Sequence, residues 1–306
     1  MRESPVLARH CAVGPVLVAI CRGGGVGDLI ECGLRRSMRA CSASSGLGPA
    51  GWRVNCLRRL KPCAPTLMLA GVERRTHAMT SSELDNPIWA SLRSRHRALA
   101  LQTGDVARYP PEFAPFLGVA NDGVEVGESI ASLVAPDESV YLLGVSPRVP
   151  EGWRLQAFPD LAQMTCIAPI PMIDGPDIIE LSGAHRGDVL ALTALVYPHY
   201  FRERTMEMGR YFGIYEDGRL AAMIGERLGT DTAQEMSAIC THPDFGGRGY
   251  AKRLTAMLTN DTLQQGRLPF LHVSHENTRA LRMYERIGYR HRRDIGFWSL
   301  RRAGPE

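Results

Sequence analysis

Cysteine is scarce in most of this 306-residue chain. Six of its eight cysteines lie within the first 63 residues, and only Cys166 and Cys240 follow. A disulfide framework is therefore not expected in the main body, and a reducing compartment, the cytoplasm, is predicted. The early cysteines form no C-x-x-C pair and have no histidine at zinc-ligand spacing, so no metal site is predicted among them.

Long apolar runs and the two common nucleotide-binding loops are also missing. The apolar run from Cys11 to Cys21 is shorter than the roughly 20 residues that cross a bilayer, and it lacks the small-x-small cleavage site of a signal peptide. The sequence contains neither G-x-x-x-x-G-K-[ST] nor a G-x-G-x-x-G followed by an acidic residue at the end of a later strand. A membrane protein, a P-loop protein and a dinucleotide-binding fold are therefore not predicted.

Charge divides the chain into two parts. Residues 1–78 carry 12 basic and 4 acidic side chains, a net charge of +8, whereas residues 79–306 carry 24 and 28. No amphipathic period survives beyond two turns in residues 1–78, so we predict a disordered or spurious extension, with folding from near Met79. A transit peptide and a basic arm that binds nucleic acid remain alternatives for this segment. No nucleic-acid or membrane partner is expected for the rest.

Residues 79–302 are predicted to contain two folded parts. Residues 79–168 have the pattern of a small α+β lobe, with one helix opening at Pro87 and a short buried strand at 140–145, but they show no catalytic constellation. A proline-containing linker then leads into residues 177–302. There, Asp217-Gly218 between two apolar runs predicts a hairpin, and further strands and two amphipathic helices follow.

Three glycines within four residues stand between a predicted strand and a predicted helix. They are Gly246, Gly247 and Gly249. The first N–H groups of a helix lack partners and carry partial positive charge. Glycines at this point let a bulky anion approach the main chain, and Arg248 adds a positive charge. The pattern favours a diphosphate-binding loop, with a plain tight turn as the alternative.

Two blocks of the sequence resemble the GNAT superfamily of N-acetyltransferases. The run from Thr241 to Ala251, THPDFGGRGYA, is similar to the family's Val-x-Pro-x-x-[Arg/Gln]-Gly-x-Gly-x-[Ala/Gly] loop. The run from Asn277 to Tyr289 is similar to its Asn-x-x-Ala-x-x-x-Tyr-x-x-x-Gly-[Phe/Tyr] helix. The resemblance covers about residues 178–300. It implies an α/β (α+β) GNAT fold, with a mixed, mostly antiparallel sheet that is splayed between two central strands and flanked by helices.

The resemblance also implies an activity and a set of binding residues. The implied reaction moves an acetyl or other short acyl group from acyl-CoA to an amine of a small molecule or peptide, by direct attack in a ternary complex, with acetyl-CoA as co-substrate and no metal. A non-catalytic acyl-CoA-binding regulatory module is the alternative, and a homodimer is left open. The implied cofactor-binding residues are Ile239, Cys240, Thr241, Gly246, Gly247, Arg248, Gly249, Tyr250, Ala251 and Asn277.

The residues of this set have different expected roles in binding the cofactor. Main-chain groups of the strand that ends at Thr241 would hold the pantetheine and polarise the thioester carbonyl. Asn277 could instead serve only as a helix N-cap. The chain departs from the family at Gly246, where Arg or Gln is usual, so we expect weaker cofactor binding.

Three residues are candidates for the chemistry. The resemblance implies that Tyr284 meets the departing sulfur. Because a thiol near pKa 8.5 is a stronger acid than a phenol near 10, proton transfer from tyrosine to thiolate is uphill by about 2 kcal/mol, so hydrogen bonding is the predicted role. Neutralising the attacking amine at pH 7 costs about 4.6 kcal/mol for a lysine-like amine but only about 1 kcal/mol for an α-amine. Glu235 is the first candidate for a base and Glu226 the second, and either carboxylate could instead pair with an arginine.

His272 and His275 have the His-x-x-His spacing that suggests a metal site. On a strand, that spacing points the two rings to opposite faces. No metal site is therefore predicted here.

Overall fold

The computed structural model of the chain describes residues 82–303. The predictions for residues 1–78 therefore lie outside the described residues. The strands are β1 Leu101–Thr103, β2 Val106–Arg108, β3 Leu117–Val119, β4 Ser139–Leu143, β5 Trp153–Thr165, β6 Ile179–Leu181, β7 Tyr211–Glu216, β8 Arg219–Gly229, β9 Ala233–Thr241, β10 Leu268–Ser274 and β11 Arg290–Arg302. The α-helices are α1 Ser82–Asp85, α2 Pro87–Arg93, α3 Gly127–Leu133, α4 Arg186–Val196, α5 Tyr250–Gln264 and α6 Thr278–Ile287.

One eight-stranded sheet dominates the architecture. Its order is β4-β11-β5-β10-β9-β8-β7-β6, and a separate small sheet has the order β1-β2-β3. Within the large sheet β9 and β10 are parallel, and every other neighbouring pair is antiparallel. The mixed, mostly antiparallel sheet that the family resemblance implies is confirmed.

The parallel pair at the centre separates soon after it begins. β9 and β10 are registered at three positions, of which the last places Glu235 opposite Phe270. Beyond that point both strands continue, to Thr241 and Ser274, without pairing to each other. The predicted splay is therefore present, and it opens in the direction of the glycine loop that follows β9.

The large sheet crosses the boundary predicted between residues 79–168 and 177–302. Strands β4 and β5 come from the first range, and β5 pairs with both β10 and β11 from the second. β11 also pairs with β4. The described residues accordingly fall within one compact unit. The sequence of a strand does not indicate which strand it pairs with. The proline-containing linker therefore suggests two separate parts, although the sheet continues across it.

Two long strands have no clear signal in the sequence. β5 contains Pro159, which cannot donate a ladder hydrogen bond. The structure accommodates this proline at an irregularity, where the register moves from Phe297 opposite Phe158 to Ile295 opposite Leu161. β11 consists of arginines, other charged residues and only a few apolar ones, so it lacks a regular alternation.

Helices cover both faces of the large sheet. Adjacent residues of one strand belong to different hydrophobic clusters: Phe270 lies in the cluster that includes α2 and α4, and Leu271 lies in the cluster that includes α5 and α6. Met223 and Ile224 of β8 divide in the same way. This is the period-two alternation of a strand buried on both sides. The sheet therefore holds α5 and α6 together on one face.

Candidate functional site

A cleft of about 680 Å³ opens beside the end of β9. Its walls are the last residues of β9, the loop from Phe245 to Gly249 with the first turn of α5, and the first turns of α6. The volume lies within the range of small-molecule sites. The cleft brings together Tyr284 and nine of the ten predicted cofactor-binding residues: Ile239, Thr241, Gly246, Gly247, Arg248, Gly249, Tyr250, Ala251 and Asn277.

The glycine loop has the backbone that an anion-binding helix end needs. Gly247 and Gly249 have φ values of +81° and +80°, which residues with side chains rarely adopt, and a Cβ at either would meet no atom within 4 Å. Gly249 is the N-cap of α5, and Arg253 N donates to Gly249 O at 3.0 Å. The amides of 250–252 precede this first helical hydrogen bond and are available to a ligand. The cradle therefore fits a diphosphate.

A carboxylate at the end of β7 fixes the loop's charged residue. Glu216 accepts hydrogen bonds from Arg248 and from the Tyr250 hydroxyl, and its hydrogen bond raises the pKa of the Tyr250 phenol. The Arg248 guanidinium also lies over the Phe245 ring, 5.2 Å from its centroid. Glu216 thus holds Arg248 at the wall of the cleft. The sequence does not indicate this contact.

A bulge in β9 exposes main chain toward the splay. One residue of β8, Ile224, lies opposite two residues of β9, Ala238 and Ile239, because Met223 pairs with Cys240 and Gly225 pairs with Ser237. The extra residue falls at Ala238, which has φ +49°. Backbone strain of this kind in a non-glycine residue is concentrated at functional sites.

The bulge determines which residues of β9 face the cleft. Ile239 and Thr241 line it, whereas the Cys240 side chain is fully buried in the core on the opposite face. Ile239 has no registered partner on β8 or on β10 in the described sheet. Main-chain groups at this point are therefore placed beside the cleft.

Helix α6 contributes Asn277 and Tyr284. The Asn277 side chain accepts a hydrogen bond from Ala280 N at 3.0 Å, so its N-cap role is present. Tyr284 is almost entirely buried, with its ring centroid 5.9 Å from that of Tyr289, and it forms part of the cleft wall. Gly288 ends the helix in a left-handed conformation, with φ +113°.

The first candidate base, Glu235, lies outside the cleft lining and within the core. It accepts two hydrogen bonds from Arg227, at 2.6 and 2.8 Å, and lies 2.8 Å from His272 Nδ1. Burial alone raises the pKa of the Glu235 carboxyl, but the Arg227 charge and the hydrogen bonds from Arg227 and His272 outweigh it and lower the pKa to about 2. Such a group accepts a proton poorly at neutral pH.

The second candidate base, Glu226, is also buried and paired. Arg210 donates to it from Nη2 at 2.7 Å and from its main-chain N at 3.1 Å. Arg267 lies 3.7 Å away. The structure therefore places both carboxylates in ion pairs and does not bring either of them together with Tyr284.

The described residues contain neither a metal-binding cluster nor a helix that could span a membrane. Among residues 82–303, no group of three or more His, Cys, Asp or Glu side chains is arranged to hold a metal ion. The His272 side chain is enclosed, while that of His275 is about half exposed. None of the helices within this range is long and apolar enough to cross a bilayer.

Comparison with known proteins places the chain in a family. Residues 211–298 match the FR47-like protein family. The solved structure of a GNAT-family protein from Novosphingobium aromaticivorans is 33% identical, with a TM-score of 0.67, and the match covers 72% of this chain and 99% of that one. The chain therefore belongs to the GNAT family of acetyltransferases.

The matched solved structures cover more of the chain than the two motif blocks do. Since residues 178–300 make up less than half of the chain and the match to the Novosphingobium protein covers 72% of it, that match also includes residues that precede 178. A GCN5-related N-acetyltransferase from Kribbella flavida is 17% identical, with a TM-score of 0.48, and the match covers 71% of this chain and 92% of that one. None of the curated proteins compared with the chain matches it.

Proposed function

We propose that this protein transfers an acetyl or other short acyl group from acyl-CoA to an amine of a small molecule or peptide, by direct attack in a ternary complex. The observation that carries the proposal is the convergence, in one cleft, of the glycine-lined end of α5, the unpaired stretch of β9 and Tyr284. Acyl-CoA supplies the acyl group already activated as a thioester.

Each part of the cleft has a proposed role. The amides of 250–252 and the guanidinium of Arg248 hold the diphosphate. The main chain at Ile239, beside the bulge, polarises the thioester carbonyl. Tyr284 donates a hydrogen bond to the sulfur as negative charge develops on it, while the proton that the thiol finally carries comes from the ammonium formed by the attacking amine.

The burial of both candidate carboxylates limits the classes of amine that can act as the acceptor. Because Glu235 and Glu226 are held in ion pairs, we propose that the reaction does not depend on a carboxylate base. An acceptor with an amine pKa near 8 then loses only about 1 kcal/mol to protonation at pH 7, against about 4.6 kcal/mol for a lysine-like amine. An α-amine of an amino acid or peptide is the acceptor class that this favours.

Release of free thiol from acetyl-CoA tests the proposal. The full-length chain is mixed with acetyl-CoA and a panel of amino acids, peptides, polyamines and aminoglycosides at pH 7 to 9. We expect thiol release that depends on the amine. At pH 7 this release should be faster with α-amines than with lysine-like amines. Thermal stabilisation by acetyl-CoA without turnover on any amine would instead support the non-catalytic binding module, and no response to any coenzyme A thioester would contradict both.

A further inference from the structure

The loop that follows α4 joins two parts of the large sheet on the face opposite α5 and α6. At its start, the Tyr197 hydroxyl accepts a hydrogen bond from Arg227 of β8 at 3.2 Å. A few residues on, the Tyr200 ring centroid lies 6.1 Å from that of Phe297 in β11 and 5.0 Å from that of Tyr141 in β4. In the order of the sheet, the gap between β9 and β10 falls between these two contact points. The loop therefore crosses the sheet at the splay.

Aromatic rings gather where the splay opens. β10 ends at Ser274, opposite Leu161 of β5. Phe158 stands three residues farther along β5, about 10 Å beyond that end, and its ring centroid lies 5.2 Å from that of Phe297 and 6.3 Å from that of Tyr141. The Phe158 and Tyr141 rings are only partly buried, so this group opens to the surface. We name it the aromatic subsite, and its members are Tyr141, Phe158, Tyr200 and Phe297.

One polar atom within the aromatic subsite is unpaired. Tyr200 is 2% exposed, and its hydroxyl has no hydrogen-bond partner among the described residues. A buried hydroxyl without a partner is unfavourable, and a phenylalanine would fill the same space without that cost. Burial raises the pKa of the Tyr200 phenol, so the hydroxyl stays protonated. A ligand group that bonds to this hydroxyl accounts for it better than the packing of the fold does.

A positive charge lies beside the aromatic subsite. Burial raises the pKa of the Tyr141 phenol, and the charge of Arg202 opposes that rise, so Arg202 lies near this ring. The Arg202 side chain forms no ion pair within residues 82–303. Glu138, whose pKa Arg202 helps to lower, is held by Arg108 Nη1 at 2.7 Å. The unpaired charge of Arg202 disfavours an acceptor that carries further cationic groups.

We propose that the aromatic subsite selects an acceptor whose α-amine adjoins an aromatic side chain. The acceptor's ring packs against Tyr141 and Phe158. Its neutral amine donates a hydrogen bond to the Tyr200 hydroxyl oxygen, which leaves the lone pair of the nitrogen free. The nitrogen forms the bond to the acyl carbon while the carbon–sulfur bond breaks, and the proton that the nitrogen loses is carried by the released thiol. The inference rests on the proposed function and adds the side chain next to the reacting amine.

Matched pairs of acceptors test the selectivity in the thiol-release assay with the full-length chain and acetyl-CoA. Phenylalanine is compared with alanine, and phenylalanylglycine with alanylglycine, so that each pair differs only in the ring. We expect kcat/KM to be at least about tenfold higher for the aromatic member, because burying the ring adds apolar contact. The faster pair shows whether the acceptor is a free amino acid or a peptide.

The same assay separates this inference from the proposed function. Turnover of both members of each pair at equal kcat/KM, or faster turnover of spermidine than of any α-amine, would overturn the aromatic subsite and leave acyl transfer standing. Absence of thiol release with every amine would overturn both.

Tyr200→Phe tests the unpaired hydroxyl. We expect KM for the aromatic acceptor to rise about three- to tenfold, with the affinity for acetyl-CoA unchanged in calorimetry. The melting temperature should not fall, because the hydroxyl has no partner in the fold to lose. Tyr109→Phe is the matched control: the Tyr109 hydroxyl lies 2.9 Å from Ser91 Oγ and 2.8 Å from His96 Nδ1 in the core, so it should lower the melting temperature and leave KM as it is. An unchanged acceptor KM in Tyr200→Phe would overturn the assignment.

Phe158→Leu tests the ring that borders the surface. It keeps an apolar side chain but removes the aromatic face, and we expect the preference for phenylalanine over alanine to fall about three- to tenfold. Phe212→Leu is the control, because Phe212 is also a partly buried strand residue but packs on the α5 and α6 face. An equal loss of preference in both variants would show a general loosening of the sheet and would overturn the aromatic subsite.

Discussion

Arg227 and Glu235 face each other as a two-pronged ion pair on neighbouring strands of the sheet. Arg227 Nε lies 2.8 Å from Glu235 Oε2, and Arg227 Nη2 lies 2.6 Å from Glu235 Oε1. Both side chains are buried, and Tyr197 and His272 complete their hydrogen bonds. The pair joins β8 to β9 just where β9 begins to separate from β10.

Breaking this pair should destabilise the fold. Glu235→Gln leaves the Arg227 charge buried without a counter-ion, so we expect the free energy of unfolding to fall by about 3–5 kcal/mol. Chemical denaturation measures the change. Glu125→Gln is the matched control, because Glu125 and Arg148 form an exposed ion pair, and its effect should stay below about 1 kcal/mol. Equal effects of the two substitutions would refute a structural role for the buried pair.

Stability should also depend on acidic pH through Glu235. Its pKa is about 2 in the folded protein, against an ordinary value of 4.5. Between these values the unfolded chain binds more protons, so the free energy of unfolding decreases as the pH falls from 4.5 toward 2, and the contribution is fully present above 4.5. Denaturation at pH 3 and pH 6 should therefore show a smaller pH effect in Glu235→Gln than in the unchanged protein.

Tyr284→Phe should lower kcat and leave KM nearly unchanged. A hydrogen bond to a charged group contributes about 1.5–3 kcal/mol, which corresponds to about 10- to 100-fold in rate. Steady-state kinetics with acetyl-CoA and the best amine measures the split. Tyr289→Phe is the control, since that phenol is bonded to Thr259 at 2.8 Å in the core and should affect stability rather than kcat. Unchanged kcat in Tyr284→Phe would exclude Tyr284 from the reaction.

Gly249→Ala should weaken acyl-CoA binding by distorting the start of α5. At φ +80° an alanine costs about 1–2 kcal/mol, which corresponds to about tenfold in affinity if the loop relaxes out of its binding shape. Gly183→Ala is the control, because Gly183 also has open space around it but no left-handed φ. Calorimetry with acetyl-CoA compares the two variants, and equal affinities would argue against a preformed cradle.

Gly246→Arg should change binding in the opposite direction. Gly246 has φ −61° and ψ 149°, which any residue adopts, and an added Cβ would lie 3.3 Å from Pro243 O, so only a small shift is needed. The arginine adds a charge next to the diphosphate cradle, and we expect coenzyme A to bind several-fold more tightly. Binding weaker than in the unchanged protein would show that the glycine is required for its size.

The elements near the site follow local rules, which is why the sequence predicts them. Asp217-Gly218 marks the β7–β8 hairpin, Gly249 precedes α5, and Asn277 and Gly288 bound α6. Each of these signals depends on a few neighbouring residues. The splay between β9 and β10 is predicted through the family resemblance rather than from those signals.

What the sequence does not predict depends on contacts between distant residues. The burial of Glu235 and Glu226 results from Arg227 and Arg210, and no local pattern distinguishes a paired carboxylate from a free one. The bulge at Ala238 has no signature, because alanine rarely adopts a positive φ. The pairing of β5 with β11 joins parts of the chain more than 100 residues apart.

The last strand of the described chain, β11, lies inside the large sheet rather than at its edge. β11 occupies the gap between β4 and β5, so β4 has no partner in the large sheet, and β5 lacks one of its two partners, until residues 290–302 have been synthesised. Contacts of such long sequence separation slow folding. Removing residues 290–302 would leave the facing edges of β4 and β5 open to other chains, and aggregation rather than a shortened soluble monomer is the expected product.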